Sequence, residues 1–428
     1  MPSTVDSRGG RRARRDQQPT DTYASLRIPE YRVLFTIGAF GFVATQSQAI
    51  ARGWLANELS DSNAGLGGVF MAFGVPMLIA TPVGGVAADR YSKRQILIVT
   101  NVLLTLSALW IALAISFDFV EYWMLLATSA IQATAFSFLV PARMALTGEV
   151  IGRELIANAI VLGQMSINSA RIIGPAIAGI FIGVAWIGTA GVYYFSAALS
   201  IAATFGCFVL PHGHPRPNGP LTTARSEFVD SLRYVWRQRH VGLLIIVSFV
   251  VVMVGFPFVA FLPRLATETL DVGSTGYGFL AAASAIGAVF VSLYIAGRSS
   301  GRAAWRIQAI SGVLFGVMLI ALAIAPSYLL AVFMVAGVGA ASAGFQAMNN
   351  SLVLTLSELE YHGRVQSLMM LSFSGFGMAA LPLGALADHV GLRQTIAAMG
   401  AFVVVAMFVY LAIGRRARQR FGEAISLA

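Results

Sequence analysis

The sequence predicts an all-α membrane protein with twelve transmembrane helices in two pseudo-symmetric six-helix bundles, both termini cytoplasmic. Three observations carry that prediction. Of the 428 residues, 57% are hydrophobic and only 11% charged, with a mean hydropathy of +0.75. The apolar residues gather into long unbroken runs, and the cations gather between those runs. A soluble domain carries roughly 25% charged residues, whereas about twenty consecutive apolar residues span a hydrocarbon core of roughly 30 Å. A transmembrane β-barrel would show short alternating segments instead.

Taken in order, the runs lie at 33–56, 65–88, 95–117, 122–148, 158–183 and 187–210, then at 241–264, 275–297, 305–324, 328–356, 365–387 and 392–414. Residues 1–30 read as a disordered basic cytoplasmic tail. The run that follows is too long for a secretory signal peptide and is expected to stay as the first span. Residues 31–210 and 241–414 then form the two bundles, and 415–428 a second basic cytoplasmic tail. The linker, 211–240, opens with Pro211-His212-Gly213-His214-Pro215-Arg216-Pro217, which cannot be helical. It continues with Phe228, Leu232, Val235 and Trp236 at helical spacing among arginines, the pattern of an amphipathic helix in the headgroup layer. His212 and His214 read as a fortuitous pair, and no metal is expected.

A net charge of +10 invites a nucleic-acid reading, but the placement of the cations argues for topology. With the N-terminus in the cytoplasm, Arg90, Lys93, Arg94, Arg143, Arg153, the 216–239 cluster, the 298–306 cluster, Arg364 and the 415–420 group all fall inside. The outer side keeps Arg52, Arg264 and Arg393. Cys207 is the single cysteine and excludes an intrachain disulfide.

No enzymatic constellation stands in the chain. Lys93, the only lysine, follows Ser92, so there is no phosphate-binding Gly-Lys-Ser/Thr loop. Gly375-x-Gly377-x-x-Ala380 mimics a dinucleotide fingerprint, but it lies inside an apolar run and reads as a packing surface. No cofactor is expected.

The chemistry concentrates in Gly84-Gly85-Val86-Ala87-Ala88-Asp89-Arg90-Tyr91-Ser92-Lys93-Arg94. Small residues let helices approach closely, and an Asp at a helix end can lie against a neighbouring helix N-terminus. The spacing Gly85-x-x-x-Asp89-x-x-x-x-Arg94 recurs as Gly384-x-x-x-Asp388-x-x-x-x-Arg393, an internal echo of the kind nested repeats leave. Polar stripes mark the other helices. Gly38, Gly41, Thr45, Gln48 and Arg52 line the first run, Gln132 and Phe136 the fourth, and Gln164, Asn168, Arg171 and Pro175 the fifth. Gly339, Ser342, Gln346 and Asn349 line the tenth. Any one such residue serves interhelical packing as well as a cavity; four stripes together favour a central polar cavity.

Arg171 sits near mid-membrane, where a charge costs roughly 2.5–3.5 kcal/mol on insertion scales. It can pair with a carboxylate on another helix, bond to carbonyls, or face an anionic substrate. Arg52 lies nearer the outer surface and is expected to snorkel. No Asp or Glu lies in the middle of a run, so Asp89 and Asp388 are the proton-coupling candidates. Phe256, Phe258, Phe261, Phe345, Phe373 and Phe376 are candidate stacking partners for an aromatic substrate.

The 84–94 stretch resembles the loop between helices 2 and 3 of the major facilitator superfamily, with Ser92 in place of the second Gly and Lys93 for the first of the paired Arg. Pro141-Ala142-Arg143, Ala157-Asn158-Ala159 and Arg171-Ile172-Ile173-Gly174-Pro175-Ala176-Ile177-Ala178-Gly179 are similar to its enterobactin-exporter branch, as are Leu232-Arg233-Tyr234-Val235, Gly276-Tyr277-Gly278 and Gly363-Arg364-Val365. The resemblance implies a gating role for Gly85, Asp89, Arg90, Lys93 and Arg94, and a helix-5 antiporter element at Arg171, Gly174, Pro175 and Gly179. It implies a monomer in a bacterial cytoplasmic membrane, binding a small-molecule substrate between halves and exporting it against proton entry. A drug or siderophore, bulky and amphipathic or aromatic, is the expected cargo. A lipid or lysolipid translocase and a nutrient importer are the alternatives. In the expected mechanism Asp89 docks at the N-terminal end of helix 11 near Arg364, while Arg90 and Arg94 meet lipid headgroups or acids such as Glu149.

Overall fold

A computed structural model describes residues 23–152, 155–184, 186–213, 233–295, 301–358 and 361–426. Among these residues the predicted runs fold as twelve long helices. They are α1 Pro29–Leu59, α2 Asn63–Arg90, α3 Lys93–Ser116, α4 Tyr122–Val150, α5 Ile156–Gly183, α6 Gly188–Cys207, α7 Arg239–Thr269, α8 Ser274–Ile295, α9 Gly301–Ala323, α10 Tyr328–Leu356, α11 His362–Val390 and α12 Leu392–Ser426. Eleven of the described segments are long and apolar enough to cross a membrane, and α11 matches them in length at 29 residues.

The ends follow local chemistry. Pro29 opens α1, where its missing N–H costs nothing. Gly391, at φ +99°, stops α11 and turns the chain into α12. The sequence predicts an unbroken seventh helix through 264, and here the structure differs. The α-helix Arg239–Gly255 halts at Phe256-Pro257, resumes as Phe258–Arg264, and ends in a π turn at Leu265–Thr269. Pro257 and Pro263 each remove a backbone donor, which accounts for the break. At the other extreme, α12 continues as helix through the basic tail to Ser426.

Of the predicted amphipathic helix, Phe228 and Leu232 lie outside the described residues, as does His214. Val235 is buried and Trp236 exposed, so these two do not share an apolar face. Tyr234 instead stacks on Tyr361, ring centroids 3.8 Å apart, and its hydroxyl accepts the Glu358 N–H at 3.0 Å. That contact ties the end of the linker to the α10–α11 turn.

Helix neighbours repeat with a shift of six. In the first half α2 packs on α4, α3 on α4 and α6, and α1 on α5 and α6. In the second half α8 packs on α10, α9 on α10 and α12, and α7 on α11 and α12. The main contacts between halves are α2 with α11 and α5 with α8, and the same shift exchanges one for the other. Outward faces are apolar, with Val99, Leu103, Leu106 and Leu113 exposed on α3 and Phe402, Val405, Phe408 and Val409 on α12. A soluble protein does not present such bands. A lipid-facing surface does.

The contacts between halves rely on missing side chains. A Cβ on Gly179 would lie 2.8 Å from the Cα of Gly278, and one on Gly74 would lie 2.8 Å from the Cα of Gly377. Gly67 sits against the backbone of Ala380 and Leu381, and Gly384 against that of Asn63. All of these lie toward the end of the molecule that carries the α1–α2 turn. Toward the opposite end, Gly84 is pressed against Ser137 of α4, whereas a Cβ on Gly85 would have nothing within 4 Å. We therefore expect Gly179→Val to force α5 from α8 at a cost of about 1–3 kcal/mol and to lower the thermal unfolding midpoint of the purified protein. Gly85→Ala should leave that midpoint unchanged or slightly raise it. Equal effects from the two variants would refute this packing.

Candidate functional site

At the α1–α2 end the halves share a carboxylate. The first backbone N–H groups of a helix have no acceptor within it. For α2, the Ser62 Oγ accepts the Gly65 N–H at 3.0 Å. The two N–H groups before it go to Asp388, near the end of α11: Asn63 N donates to Oδ1 at 2.7 Å and Ala64 N to Oδ2 at 3.0 Å. The Asn63 side-chain amide donates a third bond to Oδ1 at 2.8 Å. The carboxylate also meets the positive end of the α2 dipole. Arg264 stands within electrostatic reach of Asp388 and pairs with Glu268 at 2.6 Å. It is buried near the C-terminal end of α7, and its Nη1 has no hydrogen-bond partner among the described residues.

Asp89 ends α2 at the opposite pole. It is exposed and makes no hydrogen bond or ion pair among the described residues. The Arg364 side chain lies outside the described residues. The cations around Asp89 bind their own half. Lys93 is only 2% exposed and pairs with Glu149 of α4 at 2.9 Å, taking the acid that the sequence offers to Arg90 or Arg94. The Arg94 guanidinium lies 5.8 Å from the Phe208 ring centroid, while the Arg94 backbone N–H and the Ser92 hydroxyl both donate to the His212 carbonyl. Arg90 is exposed.

Between the two ends, the facing sides of α1 and α4 carry a polar chain. Arg52 Nη2 donates to Gln132 Oε1, and Gln132 Nε2 donates to Gln48 Oε1 at 3.1 Å. Arg52 is 7% exposed and so does not snorkel; an amide acceptor on α4 draws it inward, and Tyr193 lies beside it. Thr45 returns its hydroxyl to Gly41 O at 2.7 Å. Phe136 lies edge-on to Phe42, centroids 6.4 Å apart.

In α5, Gly174 packs on α1, where Ser47 Oγ donates to its carbonyl at 3.1 Å, and Pro175 is buried. Arg171 is exposed. A helix turns about 100° per residue, so Arg171 shares its face with the fully buried Ala178, and the exposed Ile173 and Ile180 lie on the other. Its side chain thus opens on interior space. The side chains of Gln164 and Asn168 lie outside the described residues.

The second half contributes less. Asn349 is wholly buried; it accepts from Gln308 at 3.2 Å and donates to Leu244 O at 3.4 Å, which places it inside the bundle rather than on a cavity wall. Gln346 is half-buried. Phe256 packs on Phe315, centroids 5.4 Å apart. Phe258, Phe261 and Phe345 are core residues, and Phe376 meets Phe70 across the halves; the Phe373 side chain lies outside the described residues. Sequence reasoning missed Asn63 as a cross-half partner, although Ser60-Asp61-Ser62-Asn63 carries an N-cap signal.

The family model described as a transmembrane secretion effector, of the major facilitator type, matches residues 20–425. The chain is 22% identical to the staphyloferrin A transporter of Staphylococcus aureus, covering 82% of this chain and 87% of that one. It is 26% identical to the multidrug efflux pump Tap of Mycolicibacterium fortuitum, with the same coverages of 82% and 87%. Among solved structures it is similar to the nucleoside transporter NupG (D323A mutant), with a TM-score of 0.71 at 14% identity over 89% of this chain and 99% of that one. It is also similar to an inward-facing bacterial homologue of the human lysosomal transporter Spinster, with a TM-score of 0.70 at 16% identity, covering 90% and 96%. The chain belongs to the transmembrane secretion effector family and is a membrane transporter of the major facilitator type, not an enzyme.

Proposed function

We propose that the protein exports a bulky amphipathic or aromatic small molecule by alternating access, driven by protons moving inward across a bacterial cytoplasmic membrane. One observation carries this reading: of two carboxylates in matching sequence contexts, Asp388 caps a helix of the other half and Asp89 caps nothing among the described residues. With the N-terminus inside, as the arginine distribution favours, the engaged carboxylate closes the outer face and the free one leaves the inner face open to cytoplasmic substrate. In the return state Asp89 caps the N-terminus of α11 and Asp388 is released. Protonating either carboxylate removes the charge that holds its cap, which is a route for coupling protons to the cycle. The relatives named for a siderophore and for multidrug efflux support the cargo class.

The substrate lies between the halves against α1, α4 and α5. Arg52 and Arg171 give that wall a positive charge, and no Asp or Glu lies in the interior of these helices to cancel it. The protein acts as a monomer and needs no cofactor other than the gradient.

Everted membrane vesicles containing the protein should accumulate an aromatic test compound when the lumen is acidified, and an uncoupler should cut the accumulation at least about fivefold. Gradient-independent movement would favour a lipid translocase, and uptake only by right-side-out vesicles an importer. Asp89→Asn and Asp388→Asn should each lower the rate at least about tenfold at unchanged membrane abundance. A charged hydrogen bond contributes about 1.5–3 kcal/mol, and about 1.4 kcal/mol is a factor of ten. Full transport by either variant would remove its gate.

A further inference from the structure

The interior cations differ in how they are satisfied. Lys93 has Glu149, Arg264 has Glu268 and Arg52 has Gln132. Arg143 has no hydrogen bond or ion pair for its guanidinium among the described residues. Read from the sequence it is one more cytoplasmic topology cation, yet the structure turns it inward. It is half-buried, with its guanidinium carbon 4.5 Å from the Phe42 ring centroid. Its Nη1 occupies the space that a side chain at position 38 would need, so glycine at 38 is what admits it. Tyr31 lies within electrostatic reach of Arg143, but its hydroxyl donates a hydrogen bond to Ala159 O at 2.8 Å.

Around this guanidinium lies a pocket of about 20 Å³, open on one side. It has room for one small polar group and not for a ring, which would stay at the mouth. It is lined by Ile37, Gly38, Gly41, Phe42, Phe136 and Arg143, with Asn101 in its wall. On α4, Gln132, Phe136, Leu139 and Arg143 follow one another at helical spacing, so the pocket continues the polar chain that ends at Arg52. Phe42 and Phe136 stand at 60° to one another and present apolar ring surface beside the charge. A guanidinium stacked on a ring keeps its in-plane N–H donors, which match the two oxygens of a carboxylate. Holding an unpaired charge in a half-buried place is costly, and a bound anion relieves that cost.

We propose that Arg143, Phe42 and Phe136 form a binding site for an arene carboxylate, the carboxylate on the guanidinium and the ring against the two phenylalanines. The site narrows the exported cargo to compounds bearing such a group. It rests on the export reading for its place in transport, but binding itself needs neither gradient nor movement.

The test is equilibrium binding to purified protein in phosphatidylcholine nanodiscs, with benzoate as the probe and benzamide as its neutral isostere. The wild-type protein should bind benzoate at least tenfold more tightly than benzamide. Arg143→Gln should weaken benzoate at least tenfold and leave benzamide unchanged. Arg143→Lys, which keeps the charge but loses the planar fork, and Gly38→Ala, which displaces the guanidinium, should each weaken benzoate severalfold. If Arg143→Gln does not yield a monodisperse protein, those two variants carry the test. Equal affinity for the two probes, no benzoate binding, or wild-type affinity in the folded variants would overturn the site. So would displacement of benzoate in phosphatidylglycerol nanodiscs, because the pocket would then belong to a lipid headgroup. Failure of gradient-driven efflux with benzoate binding intact would count against the transport reading alone.

Discussion

The structure depends on one donation of hydrogen bonds between halves. A helix that begins at a turn must find acceptors for its first N–H groups, and α2 finds two of them on Asp388, 325 residues away in sequence. Because those donors need an acceptor in any conformation, opening that end exchanges the carboxylate for water instead of leaving the groups bare. Asp388 is exposed, so each bond belongs at the low end of the range for charged hydrogen bonds, about 1.5 kcal/mol. Reversing a two-state equilibrium from 99:1 to 1:99 takes about 5.5 kcal/mol. One cap therefore biases the protein without locking it, and in the proposed cycle an opposing cap at Asp89 balances it.

The cap works only because the backbones beneath it can meet. Gly67, Gly74, Gly377 and Gly384 bring α2 and α11 together, and Gly179 and Gly278 do the same for α5 and α8. These small residues give close backbone packing across the boundary. Glycines also bring backbones together inside each half, as Gly84 does on Ser137 and Gly339 on Ser284, but there buried polar pairs are added. Lys93–Glu149, Gln308–Asn349 and the Arg52–Gln132–Gln48 chain are buried polar contacts that resist separation. In the proposed cycle these polar pairs keep each half intact while the halves move as rigid bodies.

Much of this was legible in the sequence. Run length placed twelve helices, with ends within about five residues except the last, where α12 runs on to Ser426 and past the expected end at 414, because a run's length reflects bilayer thickness rather than tertiary detail. The echo of Gly85…Asp89…Arg94 in Gly384…Asp388…Arg393 pointed to the two carboxylates, but nothing local showed that one reaches Asn63. Arg52 was misread because its distance from the run's end favours snorkelling, whereas its partner Gln132 lies on another helix. Asn349 looked like a cavity residue because a polar stripe has the same spacing whether it faces water or a buried Gln308. Arg143 was hidden for a similar reason, since a cation near a helix end counts for topology wherever its side chain turns. Periodicity gives the face of a helix; the neighbour on that face is a tertiary fact.

In the proposed cycle the two carboxylates hold opposite ends of one balance. Spin-label distances test it most directly, in a Cys207→Ser background with label pairs at Asp61 and Val390 for the α1–α2 end and at Tyr91 and Trp236 for the other. All four positions are exposed. Introducing Asp388→Asn should lengthen the first distance and shorten the second. If both distances stay as they were, or both move in the same direction, Asp388 does not hold the halves together and the account fails.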